Sequence, residues 1–192
     1  MSRGVIIGLF SALVLAQIAT PLSMIAKRES ILKEGEQFKF KTAPYDPYDA
    51  FRGRYISLRL DEDKVPKDPG VSYERGQKVY AHVAVDDQGF ARLTGISKDI
   101  PKGTPYIIAR FWYSHGKEAS LDLPIDRYYM EEKAAPEAEK VYRQYTDRRK
   151  KNRQDAYVLV RVKDGRVAIE GFYVGGQKIE DVVREARIKG LL

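Results

Sequence analysis

The stretch APYDPYDAFRGRYISLRL (43–60) holds the residues whose types and spacing could best do chemistry. Asp46 and Asp49 stand three positions apart in a loop stiffened by two prolines, and Arg52 follows them. A guanidinium is a planar fork that fits a carboxylate through two parallel hydrogen bonds, so Arg52 can reach back to either acid. Each residue before a proline is driven towards extended conformations. Gly53, held between Arg52 and Arg54, can take a positive φ or let another backbone approach closely at the entry to a strand. Beyond it, Tyr55, Ser57 and Arg59 alternate with Ile56, Leu58 and Leu60, which describes a strand with one apolar face. The expectation is a rigid loop-to-strand corner, with Tyr55 packing its ring and placing its hydroxyl. It serves as a folding device first and as a ligand- or partner-binding corner second.

Other chemistry is poorly supplied. The chain has no cysteine and two histidines, His82 and His115, which excludes disulfides and thiolate metal sites and argues against a histidine-rich zinc site. Asp61-Glu62-Asp63 and Asp86-Asp87 lack the spacing of a calcium loop and suit turns, so no metal and no cofactor is expected. Glu131-Glu132 read as surface residues, and Phe111-Trp112-Tyr113 as core. No phosphate loop, nucleophile elbow or dinucleotide fingerprint is present. Lys140, Arg143, Arg148, Arg149, Lys150, Lys151 and Arg153 form a basic tract. It reads as a solvated helix face, with anionic lipid or a partner as the functional alternative.

The elements that position these residues begin with a membrane segment. From Gly4 to Ala26 no residue is charged, and a helix of that length covers roughly 35 Å, enough for a bilayer core. A retained anchor is expected over a cleaved signal peptide, because Val14-Leu15-Ala16, the fair cleavage site, would cut the apolar run in half. Lys27, Arg28, Lys33, Lys39 and Lys41 follow the span. Taken literally they place the large domain in the cytoplasm, yet long C-terminal domains cross membranes largely regardless of flanking charge. The remainder is long enough to bury a core, and the net charge of the 192-residue chain is +7. QFKFKT (37–42) alternates as a strand, DEDKVPKDPG (61–70) reads as a polar loop, and PYIIARFWYS (105–114) as a buried strand leading to ASLDLPI (119–125). Hairpins are expected at 78–96, with Val79, Ala81, Val83 and Val85 on one face and Tyr80, His82 and Ala84 on the other, and at 156–174, turned by Asp164-Gly165. The two hairpins match each other from Tyr80–Val85 to Tyr157–Val162. Internal duplication and plain hairpin likeness both account for that. Helices are expected at 136–153, with Val141 and Tyr145 on one face, and at 179–190.

The order of these features, a span, then PYDPYDAFRGRYISLRL, then a hairpin, then PIDRYYMEE, resembles the bacterial membrane-anchored family named for its GDYXXLXY motif. Gly53, Tyr55 and Leu58 stand at the motif's glycine, first tyrosine and leucine. Arg54 replaces its aspartate and Leu60 its last tyrosine, so any carboxylate chemistry of the motif is lost here. Asp46-Pro47 and Asp49 fit the family's preceding loop, and Ile125-Asp126-Arg127-Tyr128-Tyr129 with Glu131 resemble a second shared block. The resemblance implies a single-span protein of the bacterial inner membrane with an extracytoplasmic domain and a multi-pass membrane or envelope partner. It implies no established activity.

The expected organisation is an anchor at 1–30 and a mainly β domain at 31–192. That domain is built of antiparallel hairpins, sandwich- or barrel-like, with one or two short helices and two hairpin-centred halves as its candidate subdivision. The expected role is non-enzymatic, an accessory or binding protein, with contacts at Asp46, Asp49, Arg52, Gly53, Arg54, Tyr55, Leu58, Arg127 and Tyr128, the bilayer at 4–26 and no nucleic acid. The first alternative is a membrane-bound serine hydrolase. Ser23-Met24 at the end of the span followed by RGRYISL resembles signal peptidase in outline, but the proline expected two residues after the serine and a lysine in the expected basic strand are both missing. The second is a cytoplasm-facing domain docking on anionic lipid through 140–153.

Overall fold

The computed structural model describes residues 2–43, 55–60, 64–131, 134–146 and 156–190. Its first element is a 32-residue helix, α1 (Arg3–Glu34). None of its most apolar 18-residue window, mean hydropathy 2.1, is buried. The helix is therefore long and apolar enough to cross a membrane, and it covers about 48 Å. Pro21 removes one backbone donor inside it. Nearby, Thr20 Oγ1 donates to the Ala16 carbonyl at 2.8 Å and Ser23 Oγ to the Thr20 carbonyl at 2.7 Å, so both hydroxyls return to the helix backbone.

The helix does not stop where the charges begin at Lys27. It runs on to Glu34, and Gly35 alone joins it to the first strand, β1 (Glu36–Ala43). The Gly35 N–H still donates to the Ile31 carbonyl at 2.9 Å while its own φ and ψ, −70° and 145°, are already extended. A Cβ at this position would lie 2.4 Å from the Ile31 oxygen and 3.0 Å from Arg161 Cβ. Only glycine lets the helix end turn straight into the sheet. Side chains lock the joint: Lys163 Nζ donates to Glu34 at 2.6 Å and to Ser30 Oγ at 2.7 Å, and Arg161 donates to the Gly35 carbonyl at 3.2 Å.

The domain is mainly antiparallel β and barrel-like. After β1 come β2 (Tyr55–Ser57), β3 (Arg59–Leu60), β4 (Lys64–Pro66), β5 (Lys78–Val85), β6 (Ala91–Ser97), β7 (Tyr106–His115), β8 (Glu118–Asp122) and β9 (Arg127–Tyr129). Helix α2 (Ala134–Thr146) precedes β10 (Ala156–Lys163), β11 (Arg166–Val174) and β12 (Gln177–Lys178), and α3 (Ile179–Ile188) closes the chain. Two five-stranded sheets run in the orders β12-β11-β10-β1-β3 and β4-β8-β7-β5-β6, and β2 pairs with β9. At one seam Lys41 sits over the Phe90 ring at 4.4 Å and bonds Gln88 at 3.1 Å. At the other, the Ile108 N–H donates to the Gly165 carbonyl at 2.8 Å. Gly165 has φ 73°, and a Cβ there would meet the Tyr106 ring at 2.4 Å, so this turn needs glycine for its backbone and for the seam. One apolar cluster, from Phe38 and Phe40 through Val79, Ile107 and Val160 to Val183, fills the space between sheets and helices.

Both expected hairpins form, and they share a defect as well as a turn. The register slips between His82 and Val83 in the first and between Leu159 and Val160 in the second. These are matched positions, opposite Gly95 and Gly171. Each slip leaves one extra residue on the partner strand, which is a β-bulge.

Several expectations are corrected. The run 55–60 alternates as read, with Ile56, Leu58 and Leu60 buried, but it splits between two partners, β2 to β9 and β3 to β1. The polar loop at 61–70 contains β4, whose Val65 is fully buried against β8. Val85 lies beyond the core edge and is 57% exposed. In the aromatic run Phe111 is buried, but a bulge between Phe111 and Tyr113 turns Trp112 out, where Arg75 stacks on it at 3.7 Å. Tyr113 is exposed as well. Helix α2 buries Ala138, Val141 and Tyr142, while Tyr145 is exposed.

Gly35→Ala is expected to destabilise the full chain by about 1–3 kcal/mol, the usual cost of overpacking a site that cannot give way. Gly70→Ala, where an added Cβ meets nothing within 4 Å, is expected to stay within about 0.5 kcal/mol. Urea unfolding in mild detergent measures both.

Candidate functional site

Two segments far apart in the chain build one site. Tyr55 pairs with Tyr129, Ile56 with Tyr128 and Ser57 with Arg127. The Leu58 N–H extends this ladder by donating to the Asp126 carbonyl at 2.8 Å. Directly opposed residues of an antiparallel pair share a face. Tyr55, Ser57, Arg127 and Tyr129 therefore lie on one face, and Ile56 and Tyr128 on the other.

The outer face is aromatic and cationic. The rings of Tyr55 and Tyr129 are 5.6 Å apart at 58°, and the Arg127 guanidinium lies 5.1 Å from the centre of the Tyr55 ring. Arg127 Nε also pairs with Asp126 at 3.2 Å. A hydrogen bond with Tyr129, then the Asp126 charge, hold the guanidinium still more firmly protonated than usual. Tyr129 is 63% exposed.

The inner face fixes the ladder to the core. Ile56 is fully buried. The Tyr128 hydroxyl donates to Glu180 Oε1 at 2.6 Å, and its ring meets Phe172 at 5.9 Å, where the Tyr142 ring also packs at 5.0 Å. Burial first, then the Glu180 hydrogen bond and charge, push the Tyr128 hydroxyl well above the ordinary tyrosine range. Glu180 lies in the first turn of α3, where the helix dipole favours a carboxylate.

Of the expected binding residues, Asp46, Asp49, Arg52, Gly53 and Arg54 lie outside the described residues, as do Asp61-Glu62-Asp63 and Arg148 to Arg153 of the basic tract. Tyr55 and Arg127 come together on the outer face, Tyr128 points inward, and Leu58 is core at 6% exposure. Asp86 serves its own turn, accepting from the Gln88 and Phe90 amides at 2.9 Å each and from Arg92 at 2.8 Å. Arg143 pairs with Glu139 at 2.8 Å. Two participants escaped the sequence reading. Tyr129 was legible, because strict alternation puts it with Arg127 and away from Tyr128. Glu180 had no local signal.

Beside the ladder, a cleft of about 590 Å³ opens between the end of α1 and the domain. Met24, Ile25, Lys27, Arg28 and Ile31 form its helix wall; Asp126 to Tyr129 and Arg166 to Ile169 form the opposite one.

The family model described as GDYXXLXY protein matches residues 17–172, a stretch that includes both strands of the ladder and the hairpins around it. No curated protein and no solved structure matches the chain.

Tyr128→Phe is expected to destabilise the domain by about 1–3 kcal/mol, because it leaves the half-buried Glu180 carboxylate without its donor. The raised hydroxyl also sets a pH dependence. Above about pH 10 the unfolded chain ionises this tyrosine and the folded chain does not, so stability falls as pH rises. Tyr128→Phe should flatten that alkaline fall in denaturant titrations at several pH values.

Proposed function

The chain belongs to the GDYXXLXY family, and on that premise we propose that it is a membrane-anchored, extracytoplasmic accessory protein that binds another membrane or envelope protein through the outer face of the β2–β9 ladder. The observation that carries this reading is the pairing itself: the two sequence blocks that prompted the family resemblance form one ladder. Its outward side chains are of the kinds that dominate protein interfaces. Tyrosine and arginine bring large contact area and fixed hydrogen-bonding geometry. Here they are ordered before any partner arrives, because Tyr55, Arg127 and Tyr129 already pack on one another. Preorganisation lowers the ordering cost of association. The inward side supports the same reading, since Tyr128 and Ile56 hold the ladder rigid from behind.

Position adds to this. The ladder lines the cleft beside the end of α1, so a partner embedded in the same bilayer would meet it without the domain having to reach outward. In this reading α1 is a retained anchor in the bacterial inner membrane, and the domain stands on the extracytoplasmic side.

The test is purification from host membranes in mild detergent, with a photocrosslinking amino acid in place of Tyr129. One membrane protein should co-purify stoichiometrically and crosslink at that position. Tyr55→Ala and Arg127→Ala, once shown to fold, should each lower its recovery about tenfold or more, the range of interface hot spots. Full recovery with both variants would move the interface elsewhere, and failure of any protein to co-purify with the wild type would contradict the accessory role.

A further inference from the structure

The cleft beside α1 has a chemistry of its own. Its helix wall straddles the level at which the apolar span ends. Met24 and Ile25, 65% and 64% exposed, belong to the uncharged run, and Lys27 and Arg28 are the first charges after it. On the facing wall, Val167 and Ile169 pack against the core and offer partly buried apolar surface, with Arg166 and Arg127 beside them. The cleft is thus apolar at bilayer depth and cationic where headgroups would lie.

Its charge is unbalanced. Among the described residues that line it, Lys27, Arg28, Arg127 and Arg166 face a single carboxylate, Asp126, which is already engaged by Arg127 at 3.2 Å. The side chains of Lys27, Arg28 and Arg166 have no hydrogen-bond or ion-pair partner among the described residues. Three unmatched cations converging on one amphipathic cleft call for an anion with an apolar body.

We propose that this cleft seats one anionic phospholipid from the bilayer that α1 enters. Its phosphate lies among Lys27, Arg28 and Arg166, and its glycerol and first methylenes lie along Met24, Ile25 and Ile169. About 590 Å³ falls within the range of small-ligand sites. It takes a headgroup and glycerol while the rest of the chains stay in the bilayer. A water-soluble phosphate would leave the apolar wall wet, and an apolar helix from a partner would leave the cations unmatched. This inference goes beyond the partner-binding role and rests only on the anchor reading of α1. The bound lipid would reinforce the angle that the Gly35 joint already sets between helix and domain, and with it the height at which the ladder meets a partner.

The test uses the full chain in mild detergent, with native mass spectrometry during titration with phosphatidylglycerol, phosphatidylcholine and glycerol 3-phosphate. The wild type should take up one phosphatidylglycerol at least tenfold more tightly than phosphatidylcholine, with no competition from glycerol 3-phosphate. At about one factor of five per cation near a lipid phosphate, Arg28→Gln with Arg166→Gln should weaken uptake about 30-fold. Lys102→Gln with Lys117→Gln, away from the cleft, should change nothing. If the glutamine pair unfolds, Arg28→Lys with Arg166→Lys keeps the charge and should bind within about threefold of wild type, whereas lost binding in that folded pair would overturn the site. Equal uptake of the two lipids, unaltered uptake by a folded glutamine pair, or competition by glycerol 3-phosphate would each overturn it too. An alkaline carbonate wash of membranes separates the two readings: a chain released by it was never anchored, whereas a chain retained without lipid selectivity refutes the lipid site alone.

Discussion

One residue, Gly35, carries the constraint on which the rest of the arrangement depends. A helix whose apolar run ends at Ala26 continues to Glu34, and the first strand starts at Glu36. No linker separates the apolar helix from the sheet. The direction of α1 therefore sets the direction of β1, and β1 sits inside its sheet between β10 and β3. Because the joint is also tied by Lys163 and Arg161, the end of the apolar helix is held against the domain. The cleft and the placement of the ladder beside the apolar helix both follow from that.

The ladder and the helices form the second level of order. Strands of three residues such as β2 and β9 are too short to persist alone. They persist here because Ile56 is buried, Tyr128 reaches Glu180, and Phe172 receives the rings of Tyr128 and Tyr142. Helices α2 and α3 thus stand behind the exposed face and hold it in shape, while the exposed residues Arg127 and Tyr129 contribute little to the core. Such a division of labour suits a recognition surface, where the exposed side chains face outward and their neighbours do the folding.

Most of the local structure could be read from the chain because it depends on near neighbours. Val79, Ala81 and Val83 alternate, Asp164-Gly165 takes the positive φ values of a tight hairpin turn, and Ile179, Val182 and Val183 share a helix face. What could not be read depends on distant partners. Val65 is one apolar residue in a polar stretch, and its burial comes from β8. Trp112 is turned out by a bulge that only the register with β8 reveals. At the candidate site, Tyr55 and Arg127 could each be picked out, but nothing local shows that their segments pair. The sequence marks Tyr128 as a contact residue, although alternation puts it on the face away from Arg127 and Tyr129; its inward role depends on Glu180. The cleft is drawn from three separate segments and left no mark on any one of them.

The most direct test of the central claim, that the two shared blocks form one ladder with Tyr55, Arg127 and Tyr129 on its outer face, is a disulfide experiment. The chain has no cysteine of its own, so introduced pairs are unambiguous. Ser57→Cys with Arg127→Cys places two thiols on directly opposed positions, whose Cβ atoms in such a ladder lie about 4.5–5.5 Å apart. Mild oxidation of the folded chain should close this bridge nearly completely, while Ser57→Cys with Tyr128→Cys, on opposite faces, should stay reduced. An open first pair, or equal closure of both, would contradict the register and the recognition surface proposed on it.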